Sequence, residues 1–172
     1  MLGLLNLSGA EAQKTVGAIC SEVSEDGSLT WKSEANRLAA LCDCSDLASL
    51  TIKNKSVIAL PPCFGQMVNL RELDLKKTKL ARFPVEILEM ESLEHLSLAF
   101  TDITFLPENL WKLTALKKLD LRGTGITSLP QGLEHLEMID FRLCELTQAD
   151  QQFIRAQYPD IPVYFSSPCN CY

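Results

Sequence analysis

A chain of 172 residues, 47% hydrophobic and 22% charged, has the size and balance of one self-folding domain. Its 16 basic against 22 acidic residues give a net charge of −6, a field that repels a phosphate backbone or an anionic bilayer and so argues against nucleic acid or a membrane as partner. Its longest apolar stretches fall short of the ~18 residues a membrane span needs, and seven cysteines, odd in number and set on no repeating framework, point to reduced thiols and a cytoplasmic home.

In chain order, MLGLLNL has no basic residue before it and is too short for a signal peptide's apolar core, although Ala10-x-Ala12 has cleavage-site spacing. Secretion, or delivery into a host cell, is therefore the alternative to cytoplasmic residence. Ser8-x-x-Glu11 reads as a capping box opening a helix with Ala12, Val16, Ile19, Cys20 and Val23 on one face. After a turn at Asp26-Gly27, Trp31, Ala35, Leu38 and Cys42 repeat that spacing, so residues 1–46 are expected to form a helical N-terminal cap.

From Leu47 a period of 23 takes over, with units starting at Leu47, Leu70, Leu93 and Leu116 and a shortened one following at Leu136. The first, fourth and sixth positions are apolar, as in Leu93, Leu96 and Leu98, which makes a strand with one buried face. The ninth position is Lys55, Thr78, Thr101, Thr124 and Cys144, where a polar group can satisfy backbone in the turn. Leu-Pro or Phe-Pro at Leu60, Phe83, Leu106 and Leu129 sets a turn, and pairs such as Ile87 with Met90 build a short helical return leg. Each unit carries a ridge it cannot bury alone, so the units stack as about five parallel strands in a right-handed arc.

These motifs resemble the leucine-rich-repeat family over residues 47–146, with Thr at the ninth position where that family usually has Asn. The resemblance implies an α/β solenoid with strands on its concave face, and a module that binds proteins without catalysis or a cofactor. Residues 147–172 are expected to close the far end with a helix from Thr147-x-x-Asp150 and an edge strand at Ile161, Val163 and Phe165. One domain, acting as a monomer, accounts for the whole chain.

Candidate chemistry is sparse. His95 on the strand face and His135 on the turn side cannot share a metal or a base role. Two Cys-x-Cys pairs, Cys42 with Cys44 and Cys169 with Cys171, would sit at opposite ends of the stack, too far apart for one zinc site. Cys44-x-Asp46 resembles the Cys-x-Asp of bacterial ubiquitin ligases that carry these repeats, but their catalytic part is a separate large domain; a cysteine-dependent enzyme or ligase fragment is the rival reading. The last four residues are a poor prenylation signal, and Gly123-Thr-Gly125 lacks the third glycine of a nucleotide loop.

Positions three, five and seven of each strand point away from the core and give the candidate partner-binding surface. It comprises Glu72, Asp74 and Lys76, then His95, Ser97 and Ala99, then Lys118, Asp120 and Arg122, with Asp140 and Arg142 from the last unit. The mixed signs suit a protein rather than a phosphate track. The middle unit adds Phe100, Phe105 and Trp111 where its neighbours are mostly polar, and aromatic anchors dominate interface energies. A partner protein is thus expected on the concave face and one rim, centred on His95, Ala99 and Phe100.

Overall fold

A computed structural model describes residues 20–32, 35–53 and 55–166. Among these described residues seven parallel strands form one open sheet in strict chain order: β1 (Ser28–Trp31), β2 (Ser49–Ile52), β3 (Glu72–Asp74), β4 (His95–Ser97), β5 (Lys118–Asp120), β6 (Met138–Asp140) and β7 (Val163–Tyr164). Register follows the repeat: Leu50, Leu73, Leu96, Leu119 and Ile139 are successive partners along the sheet, and all are buried. The first and sixth positions close over the same core, from Leu47 and Ile52 to Leu136 and Phe141. Return legs are 3-10 helices at Pro62–Gln66, Val85–Glu89 and Glu108–Lys112, which bury Phe64, Ile87 with Leu88, and Leu110. Residues 116–135 make a unit three residues shorter and have no such helix.

The ninth position shows how the chain manages without asparagine. The buried hydroxyls of Thr78, Thr101 and Thr124 each donate to the carbonyl three residues back, Leu75, Leu98 and Leu121, at 2.7–2.8 Å. Each satisfies a carbonyl at the point where its strand turns away. Thr101→Val keeps the shape and orphans the Leu98 carbonyl, so a stability loss of about 1–3 kcal/mol is expected in urea denaturation.

The N-terminal end differs in part from the sequence expectation. The helix expected over Ala12–Val23 lies almost entirely outside the described residues. The second cap helix is corrected: Trp31 belongs to strand β1, which pairs Ser28 to Ser49 through Trp31 to Ile52, and only Ala35–Asp43 is helical, as a 3-10 helix. Ser28–Trp31 alternates with Leu29 and Trp31 buried, so β1 adds a further rung to the sheet. At the other end Thr147 and Asp150 do form a reciprocal capping box on helix Gln148–Gln157, and β7 pairs with β6. The Phe141 and Phe165 rings stack there, their centroids 5.9 Å apart.

The expectation of reduced thiols is corrected as well. Cys20 is bonded to Cys44 and Cys42 to Cys63, tying the N-terminal segment, the 3-10 helix and the first repeat together. Cys144 is a free thiol that donates to the Leu121 carbonyl, taking the place of the next threonine in the column; Cys169 and Cys171 lie outside the described residues.

Candidate protein-binding face

The outward strand positions converge as the columns require. Glu72, Asp74, Lys76, His95, Ser97, Lys118, Asp120 and Arg122 line one hollow of about 370 Å³, together with Ser49, Thr51 and Met138. Position three forms a chain of polar contacts: Ser49 donates to Glu72 Oε2 at 3.0 Å, and His95 Nδ1 lies 3.1 Å from Glu72 Oε1.

Position five does local structural work. Asp74, Asp120 and Asp140 each accept the backbone N–H two residues on, at 2.9, 3.2 and 3.0 Å, where the strand ends and that donor has no sheet partner. Arg122 also clamps Asp120 through Nε and an Nη at 2.8 and 2.7 Å, and Arg142 does the same to Asp140. These arginines are therefore spoken for, at the C-terminal end of the face. Two members of the predicted set are corrected to interior positions. Ala99, a single methyl between the long Lys76 and Arg122 of its column, is fully buried, and Asp140 lies 4% exposed beneath Arg122 and Arg142.

The middle unit consequently breaks the wall. With Ser97 and Ala99 in place of an acid and a base, it has neither the fixed carboxylate nor the long cation of its neighbours. Ser97 makes one side-chain bond, to Asp120 Oδ2 at 3.2 Å.

The aromatics do not gather at one place. Phe100 sits on the rim of the face with its ring against Gly123, whose Cα a β-carbon could not join without coming 2.7 Å from the ring. Its backbone is left-handed, φ 56°, as are Lys77, Gly123 and Leu143 at the same repeat position. Phe105 is 79% exposed beyond the turn. Trp111 lines a separate open hollow of about 700 Å³ with Glu108, Gln131, Gly132, Glu134, Gln157 and Tyr158, none of which belongs to the strand face. That hollow lies beside the shortened unit, which lacks the 3-10 helix its predecessors have. Lys55 and Lys77 were missed as candidates: they share a second hollow on the rim of the strand face with Lys53 and Lys76. A lysine at the ninth position, where every complete later unit has threonine, was the signal available.

Charges also alternate along the second position. Glu94 bridges Arg71 at 3.3 Å and Lys117 at 2.5 Å. The Lys117 hydrogen bond and charge hold the Glu94 carboxyl below its ordinary 4.5. For Asp120, burial acts to raise the pKa, but the Arg122 hydrogen bonds and charge outweigh it and hold it below 3.8. Both groups bind protons more weakly in the folded chain than in the unfolded one. Their stabilisation is present above their ordinary values and is lost as pH falls through the lowered ones. Urea midpoints should accordingly drop as pH falls below the ordinary carboxylate range, and less steeply in an Asp120→Asn, Glu94→Gln variant.

The match to known proteins agrees with this geometry. Residues 68–126 match the model of the leucine rich repeat family. Residues 68–126 are leucine-rich repeats. Among solved structures, a leucine-rich-repeat protein of Leptospira interrogans is similar at 23% identity and a TM-score of 0.62, over 74% of this chain and 39% of that one. The internalin C2 of Listeria monocytogenes is similar at 15% identity and a TM-score of 0.59, over 75% and 56%. The leucine-rich-repeat domain of the type III effector XopL is similar at 21% identity and a TM-score of 0.55, over 83% and 62%. The chain thus spans less than two thirds of each of these structures. A comparison with curated protein sequences finds no significant match. Leucine-rich repeats generally mediate protein–protein interaction through the surface their stacked strands create, and are typically non-catalytic.

Proposed function

We propose that this chain is a scaffold that binds a partner protein on its strand face, without catalysis and as a monomer, with the docking point at the middle unit. The observation that carries the reading is the break in the charged wall at Ser97 and Ala99. There the face forms a hollow whose neighbouring charges are already oriented by Asp74, Asp120 and Arg122. Groups held in place before binding lose little freedom on association, which favours a specific contact. Mixed charge on the face and a net charge of −6 support a protein rather than nucleic acid. Among the described residues no helix is long and apolar enough to cross a membrane.

The enzyme or ligase alternative built on Cys44 loses that nucleophile, because Cys44 is bonded to Cys20 and has no thiolate to offer. Two disulfides support residence in an oxidising compartment over the cytoplasmic one expected from the sequence. Ser97→Trp tests the docking point, since a bulky ring fills the hollow from an outward strand position. Proteins captured from the native host by the wild-type chain should be lost, by about tenfold or more, with an unchanged urea midpoint. Equal capture by the filled variant would remove the strand face from the reading.

A further inference from the structure

The strand face continues on one rim into a second hollow of about 430 Å³, lined by Thr51, Lys53, Lys55, Asp74, Lys76 and Lys77. It gathers four of the molecule's 16 basic residues about a single carboxylate, in a chain whose overall charge is −6. Among the described residues, the ion pairs formed by lysines and arginines fall on Arg71, Lys117, Arg122 and Arg142, and none includes these four lysines. Asp74, the one acid present, has an oxygen engaged by the Lys76 backbone N–H. The cluster is a consequence of the repeat. Lys55 stands at the position where Thr78, Thr101 and Thr124 turn inward, but it is exposed, and Lys53 with Lys76 are successive members of the seventh-position column.

One end of this patch is apolar. The Lys76 and Lys77 ammonium groups lie 5.5 and 5.9 Å from the centroid of the Phe100 ring, which is 38% exposed. The ring is pinned from behind by Gly123, and its left-handed backbone is a conformation that costs a bulky residue more than glycine or asparagine. Phe100 therefore presents an aromatic surface, backed by Gly123, at the border of a net positive hollow.

We propose that this rim receives an acidic segment of the partner protein, its carboxylates over Lys53, Lys55, Lys76 and Lys77 and an apolar side chain against Phe100. This rests on the strand-face reading and names the chemistry of its partner. Positive charge here, set in an otherwise acidic molecule, steers a segment of opposite sign and rejects a basic one.

The test is fluorescence anisotropy with the whole chain and a labelled glutamate-rich peptide carrying one leucine, beside the same peptide with glycine for leucine and a lysine-rich peptide. The leucine peptide should bind, and its affinity should fall by about tenfold on moving from about 50 to about 300 mM salt, where screening shortens. Lys76→Glu with Lys77→Glu, and separately the exposed pair Lys53→Glu with Lys55→Glu, should each weaken it by about tenfold or more. Phe100→Asn, which suits a left-handed backbone, should reduce the leucine peptide to the level of the glycine one. No binding, equal binding of the lysine-rich peptide, or indifference to both charge reversals overturns the proposal. So does equal binding of the leucine and glycine peptides by the wild type, which marks general polyanion attraction. Loss of host-protein capture by Ser97→Trp alongside indifference to the lysine reversals would sink this inference and leave the strand-face reading standing.

Discussion

Leu96→Ala should cost about 2–5 kcal/mol, whereas Ser97→Ala, one residue on, should change stability by less than about 1 kcal/mol. Leu96 is 1% exposed in the central strand, with Leu73 and Leu119 as its sheet partners, so truncation leaves a cavity between two rungs that cannot collapse without moving both. Ser97 points the other way and gives up a single partly exposed hydrogen bond to Asp120. Urea denaturation of the two variants separates them. Equal effects would mean that the strand does not divide its side chains between core and face.

Breaking the second disulfide should have an effect of similar size at one end of the molecule. Cys42→Ser with Cys63→Ser removes a crosslink closing a chain segment of 21 residues, for which about 2–4 kcal/mol is the usual loss. Since each rung of a solenoid touches only its neighbours, the loss should be local. Amide exchange should accelerate over β1 and β2 and remain slow at Leu96, Leu98 and Leu119. Reductant, which also opens Cys20–Cys44, should cause at least this loss in the wild type, at the same end. Before reduction the denatured chain should expose no more than three of its seven thiols, and afterwards all seven. Seven reactive thiols at the outset would contradict both disulfides.

What the sequence made legible is whatever repeats at 23 residues. Leu73, Leu96 and Leu119 are buried side by side, and Thr78, Thr101 and Thr124 fill one column, because a period in the chain becomes adjacency in the stack. β1 was hidden because its offset to β2 is 21, and Asp26 stands where the later units have their first leucine. Asp26 instead accepts the Ser28 N–H at 3.0 Å, a turn contact with no hydrophobic signature. The disulfides were legible in principle: Cys20 to Cys44 and Cys42 to Cys63 are 24 and 21 apart, about one repeat each, and one repeat is the separation that stacking closes. Ala99 and Asp140 were misplaced because alternation gives the direction of a side chain, not what its neighbours cover. Long arginines lie over the carboxylate of Asp140, and a methyl at Ala99 cannot reach past the flanking column. The scattering of Phe100, Phe105 and Trp111 has the same origin, since one unit spans both faces of the solenoid.

Lysine acetylation footprinting of the chain, free and bound to its captured partner, tests the strand-face account most directly. Lys53, Lys76 and Lys118 lie on that face, while Lys112, on the return leg Glu108–Lys112, is exposed away from it. Protection of the first three with Lys112 unchanged is the predicted result; protection of Lys112 with Lys76 and Lys118 still reactive would place the partner on the opposite side and contradict it.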